Sequence, residues 1–179
     1  FQVAGQPGTG PVEKFVLLRE AAELATGGGD ARFLLEVVEA IGADFDADGL
    51  TLKGQMLRAF ADEANTSAEK ASLLEATKEY VDAAMAEQRY EYALAVAKLN
   101  YEACRGSSSR RVRKEAIELR DRVKRLAEGQ RKLDRALARL ETNPADPDLH
   151  LLATAVILGV LYSRRFDALG KAEVERQRV

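Results

Sequence analysis

The chain has 179 residues, 46% of them apolar, and a chain of this order buries about 70% of its unfolded surface without a metal or disulfide staple. A single cysteine, Cys104, excludes an internal disulfide, and a single histidine, His150, leaves too few soft ligands for a zinc site. Net charge is −2, which selects no partner, but residues 105–139 hold thirteen Lys and Arg against five Asp and Glu, while the rest holds fourteen against twenty-four.

The first residues, with Gly5, Pro7, Gly8, Gly10 and Pro11, carry no helical pattern and read as a flexible lead-in over 1–11. The start at Phe1 rather than Met reads as a processed chain or an excised fragment. From there to residue 179 the punctuation predicts one helical-repeat domain of eight helices, rich in Ala, Leu, Glu and Arg and without β-alternation. Pro11 suits a first helical position, and Phe15, Leu18, Ala22 and Ala25 follow at helical spacing until Gly27-Gly28-Gly29 stops the pattern. Asp30 caps a second helix through Phe33, Leu34, Val37, Val38 and Ile41 to Gly42. Asp48 caps a third, carrying Leu50, Leu57, Phe60 and Ala64 to Asn65, and Thr66 with Glu69 forms the capping box of a fourth that runs to about Glu87. A fifth spans Arg89 to Cys104 before Gly106, and Ser107 to Ser109 cap a long sixth that reaches Thr142.

Asn143-Pro144-Ala145-Asp146-Pro147 breaks the sixth helix and opens a seventh, and a turn near Ser163 to Arg165 leads to an eighth. The apolar run Leu149–Tyr162 has fourteen residues against the about twenty that cross a membrane, so it reads as a buried helix.

Two hairpins look like tetratricopeptide units, Ala21-Ala22 through Asp30–Phe33 and Ala83-Ala84 through Arg89–Ala93. Each places small residues at the crossing and an aromatic wedge past the turn. Turns near 28, 88 and 164 lie about sixty and seventy-six residues apart, not at the thirty-four-residue period, so the expected fold is all-α: an irregular α-solenoid or helical hairpin bundle, TPR-like. In the sixth helix Val112, Ala116, Leu119, Val123, Leu126, Gln130, Leu133, Leu137 and Leu140 alternate steps of four and three. That heptad pattern predicts one buried seam with Leu126 and Leu133 inside it, covered by neighbouring helices of the same chain.

Four stretches in order, Phe15–Ala21, Phe45–Lys53, Tyr92–Leu99 and Asn143–Pro147, resemble the tetratricopeptide-like helical region of exported planctomycete proteins of unknown function. They cover most of Lys14 to Leu152; beyond it, Ser163-Arg164-Arg165-Phe166 stands where that pattern has a glycine-aspartate-tryptophan turn. The resemblance implies a scaffold or partner-binding module outside the cytoplasm, working with a protein partner or with adjoining domains.

The chemistry-bearing residues fit that expectation. Cys104 and His150 are the one Cys–His pair and lack an orienting motif, the glycine stretches lack a phosphate-loop Lys-Ser/Thr, and no carboxylate pair stands in an active-site motif. Neither catalysis, a cofactor nor a small-molecule substrate is expected. Asp44, Asp46 and Asp48 with Gly49 resemble the start of a calcium loop, but Gln55 stands where a bidentate Glu is required, so these aspartates read as helix caps. Candidate partner contacts are Arg89, Tyr90, Tyr92 and Tyr101, with one of Tyr90 and Tyr92 expected to be the wedge of its own hairpin. The alternative is a nucleic-acid-binding helical domain that uses Arg110, Arg111, Arg113 and Arg120 of the basic helix. Against it stand five interspersed acids and the absence of any aromatic between Arg105 and Leu149; a solvated, charge-paired face is expected instead.

Overall fold

The computed structural model describes residues 10–45 and 47–143, together with His150 and Thr154. Among these residues the protein is entirely helical: α1 (Pro11–Gly27), α2 (Ala31–Asp44), α3 (Gly49–Glu63), α4 (Ser67–Ala86), α5 (Tyr90–Cys104) and α6 (Arg110–Thr142). The helices expected beyond Asn143 lie outside the described residues. None of the described helices is long and apolar enough to cross a membrane. The sequence draws one helical domain over 12–179; by packing, the chain forms two compact units, one up to Val123 and one from Lys124 onward, with the boundary inside α6.

Local chemistry sets the helix starts. Asp30 Oδ1 accepts from the Phe33 amide at 3.0 Å, and Asp48 Oδ1 from the Thr51 amide at 3.1 Å, each satisfying a first-turn N–H that the helix itself leaves open. At α4 the capping box is complete: Thr66 Oγ1 accepts from the Glu69 amide at 3.2 Å and Glu69 Oε2 accepts from the Thr66 amide at 2.9 Å. Gly29, with φ 72°, ends the α1–α2 turn, and a Cβ there would lie 2.9 Å from Glu69 Cγ. Both its backbone angle and that close approach exclude a side chain.

In the first unit, connections of three or four residues between α1 and α5 fold each helix back on the one before it. Successive helices from α1 to α5 pack pairwise, and α2 also meets α4 while α3 meets α5. The core between them holds Leu34, Val37, Leu57, Phe60, Leu73, Tyr80 and Val81. At the α4–α5 crossing Ala84, Ala93 and Ala97 are fully buried, and small residues there let the two backbones come close. The first turns of α6 are tied to α4 by Lys78–Glu115 at 2.7 Å and Asp82–Arg122 at 3.4 Å.

Along α6 the expected seam is buried at Val112, Ala116, Leu119, Val123 and Leu126. It then departs from expectation: Leu133 is half-buried and Leu137 is 44% exposed, while Ala136 is buried. Leu137 and Ala136 point about 100° apart around the helix, a larger change of covered side than the about 20° per heptad by which a seven-residue repeat drifts, so burial there follows what packs against this part of α6 and not the heptad spacing.

Candidate functional site

The α4–α5 turn ends with Gln88 at φ 60°, a left-handed conformation uncommon for a side chain other than glycine, and this delivers Arg89 to the start of α3. Its Nη1 donates to both Asp48 oxygens at 2.8 and 2.9 Å, and Nη2 donates to Thr51 Oγ1 at 3.2 Å. The same guanidinium stacks over the Tyr92 ring, 4.0 Å from its centre. Asp48 therefore serves two ends at once, capping α3 and fixing Arg89. The hydrogen bonds from Arg89, and after them those from Thr51, hold the Asp48 carboxyl far below the usual carboxylate range, and the Asp48 contact in turn raises the Arg89 pKa.

Of the four residues expected at a partner surface, the structure places Arg89 and Tyr92 together and Tyr101 apart. Tyr92 is 44% exposed. Tyr90 is buried at 5%, so it is the wedge of its hairpin and is removed from the contact set. Tyr101 is half-buried beneath the Arg120 guanidinium, again 4.0 Å from the ring centre, and Arg120 is held by Asp121 at 2.7 Å. Next to Asp48 a depression of about 320 Å³ is lined by Glu39, Gly42, Lys53, Ala83 and Glu87 among others. Sequence reasoning weighed Asp48 only as a cap or cation ligand; its bond to Arg89, forty-one residues away, carries no local signal.

Of the arginines named for nucleic acid, three are engaged within the protein. Arg111 pairs with Glu115 at 3.0 Å, Arg113 donates to the Ser107 carbonyl, and Arg120 is shared between Asp121 and Tyr101; Arg110 is exposed and meets no carboxylate among the described residues. Cys104 is buried, its Sγ 3.4 Å from the Lys70 carbonyl and from Asn100 Oδ1, and burial pushes its thiol up to about 11, which keeps the nucleophilic thiolate scarce at neutral pH. His150 is exposed.

No family model, curated protein or solved structure matches the chain.

The acidic turn has a definite role in this geometry. Asp44 pairs with Lys14 at 2.7 Å, Asp48 is bound as above, and Asp46 lies outside the described residues. No group of three or more potential ligands converges among the described residues. Millimolar calcium is expected to leave the melting temperature unchanged, whereas Asp48→Asn lowers it at pH 7. Because the folded carboxyl titrates below its ordinary value of 3.8, this stabilisation is fully present above that value and fades as the pH falls beneath it. The gap between the two proteins in thermal melts should therefore stay constant from pH 7 to about pH 4 and narrow only from there toward pH 2; a gap that is unchanged at pH 2 would show that the charge on Asp48 is irrelevant.

Proposed function

We propose that the chain is a non-enzymatic helical-repeat scaffold that binds a protein partner, its hairpins stacked in a tetratricopeptide-like solenoid. The packing of α2 on α4 and of α3 on α5, beside the neighbour-to-neighbour contacts, is the arrangement that such stacking produces. The planctomycete resemblance points the same way and favours a place outside the cytoplasm.

The observation that carries the reading is the Arg89–Tyr92 pair. Tyr and Arg are enriched at interface hot spots: Tyr offers large contact area with few rotamers to fix, and Arg a planar fork of donors whose own rotamer freedom must be lost. Here the arginine is immobilised in advance by Asp48 and Thr51 and the ring lies against it, so little side-chain freedom remains to be lost on binding. The adjacent depression gives an incoming side chain a place to enter.

A random-peptide library panned against the full chain tests this. Enriched peptides should bind one site, and Tyr92→Ala should weaken them at least tenfold while Arg89→Lys, which cannot bridge Asp48 and stack in the same way, weakens them less. An absence of enriched peptides, or affinities unmoved by both substitutions, would reject this surface.

A further inference from the structure

The basic helix divides into two chemically different parts. Up to residue 124 its cations are mostly neutralised: Arg111 by Glu115, Lys114 by Glu118, Arg120 by Asp121, Arg122 by Asp82 and Lys124 by Glu128. Beyond it four cations differ. Arg125, Lys132, Arg135 and Arg139 are exposed, and none meets a carboxylate within ion-pair distance among the described residues. The acids interspersed there include Glu128, 3.9 Å from Lys124, and Asp134, which accepts from the Gln130 side-chain amide at 2.8 Å.

These four cations also share a face. Steps of seven, three and four residues from Arg125 to Arg139 keep them on one side of the helix over roughly 21 Å of its length. Three of them, Lys132, Arg135 and Arg139, line a hollow of about 310 Å³ together with the buried Ala136. Arg135 is steadied by a bond from its Nε to the Arg131 carbonyl at 3.1 Å. Like charges lining a concavity suit an oxyanion and repel a cation.

From this arrangement we infer that the second half of α6 binds the phosphodiester backbone of a nucleic acid, with Lys132, Arg135 and Arg139 holding successive phosphates and Arg125 extending the track. A protein partner fits less well, because interface cores need aromatic or apolar anchors and this face offers none. With no aromatic between Arg105 and Leu149 there is no platform for stacked bases, so the contact is to phosphates, independent of base sequence. The site differs from the one expected at Arg110, Arg111, Arg113 and Arg120, and is independent of the Tyr92 surface.

Fluorescence anisotropy of a labelled 20-base-pair duplex with the full chain tests the inference. Binding should weaken about forty-fold between 50 and 200 mM salt, as expected for three phosphate contacts. Lys132→Glu/Arg135→Glu/Arg139→Glu should abolish binding at 50 mM salt. Arg19→Glu/Arg32→Glu/Arg58→Glu, an equal change in net charge on exposed positions, should leave it within twofold. The milder Lys132→Gln/Arg135→Gln/Arg139→Gln, with circular dichroism matched to the parent, serves if the reversal fails to fold, and should lose at least tenfold. No binding at 50 mM salt, equal losses in both charge-reversal triples, or equal affinity for a poly-glutamate peptide of the same charge would overturn it.

Discussion

Tyr80→Ala should destabilise the protein by about 3–5 kcal/mol, whereas Tyr80→Phe should cost nothing or raise stability by about 1 kcal/mol. The ring is 1% exposed and is among the largest fully buried side chains of the first unit, so its removal leaves a cavity that the helices around it close only in part. The hydroxyl is different. It is buried with no hydrogen-bond partner among the described residues, and burial pushes the phenol up to about 12. Removing it relieves the desolvation of a polar group that gains nothing in return. Gly54 supplies the cross-check, because a Cβ at that position would lie 3.0 Å from the Tyr80 oxygen. Alanine is the better helix former by about 1 kcal/mol, so Gly54→Ala should gain stability in the Tyr80→Phe background and lose that gain when the hydroxyl is present. Urea titration of the four proteins reads both effects. A loss above 1 kcal/mol in Tyr80→Phe alone would mean that the hydroxyl makes a bond that holds α4.

The second large effect concerns the seam of α6. Leu126→Ala should cost roughly 2–5 kcal/mol, because Leu126 is 5% exposed beside a fully buried Ala127. Leu133→Ala should cost less than half as much, since its side chain already meets solvent and leaves little cavity behind. Equal losses at the two positions would show that the seam stays covered through the next heptad. Losses below half a kcal/mol at both would place the whole stripe in solvent.

Read by itself, the sequence determined the helices. Caps at Asp30, Asp48 and Thr66 with Glu69, Pro11 at the first position and the glycines of the first turn act within a few residues, so they are legible wherever the chain goes. The apolar spacing likewise located the buried side of α2 and the first heptads of α6, because a covered stripe must repeat with the helical turn. It could not choose between Tyr90 and Tyr92, which sit two residues apart on different sides of α5; only packing buried one and exposed the other. Nor could it join Arg89 to Asp48, or tell which cations of α6 are neutralised, as Arg111, Lys114 and Arg122 are. Side-chain pairing across helices depends on three-dimensional distance, and a Coulomb interaction carries no trace in the spacing of residues forty positions apart. The composition of α6 states how much charge it bears; the tertiary structure alone decided that Lys132, Arg135 and Arg139 line one hollow and meet no carboxylate among the described residues.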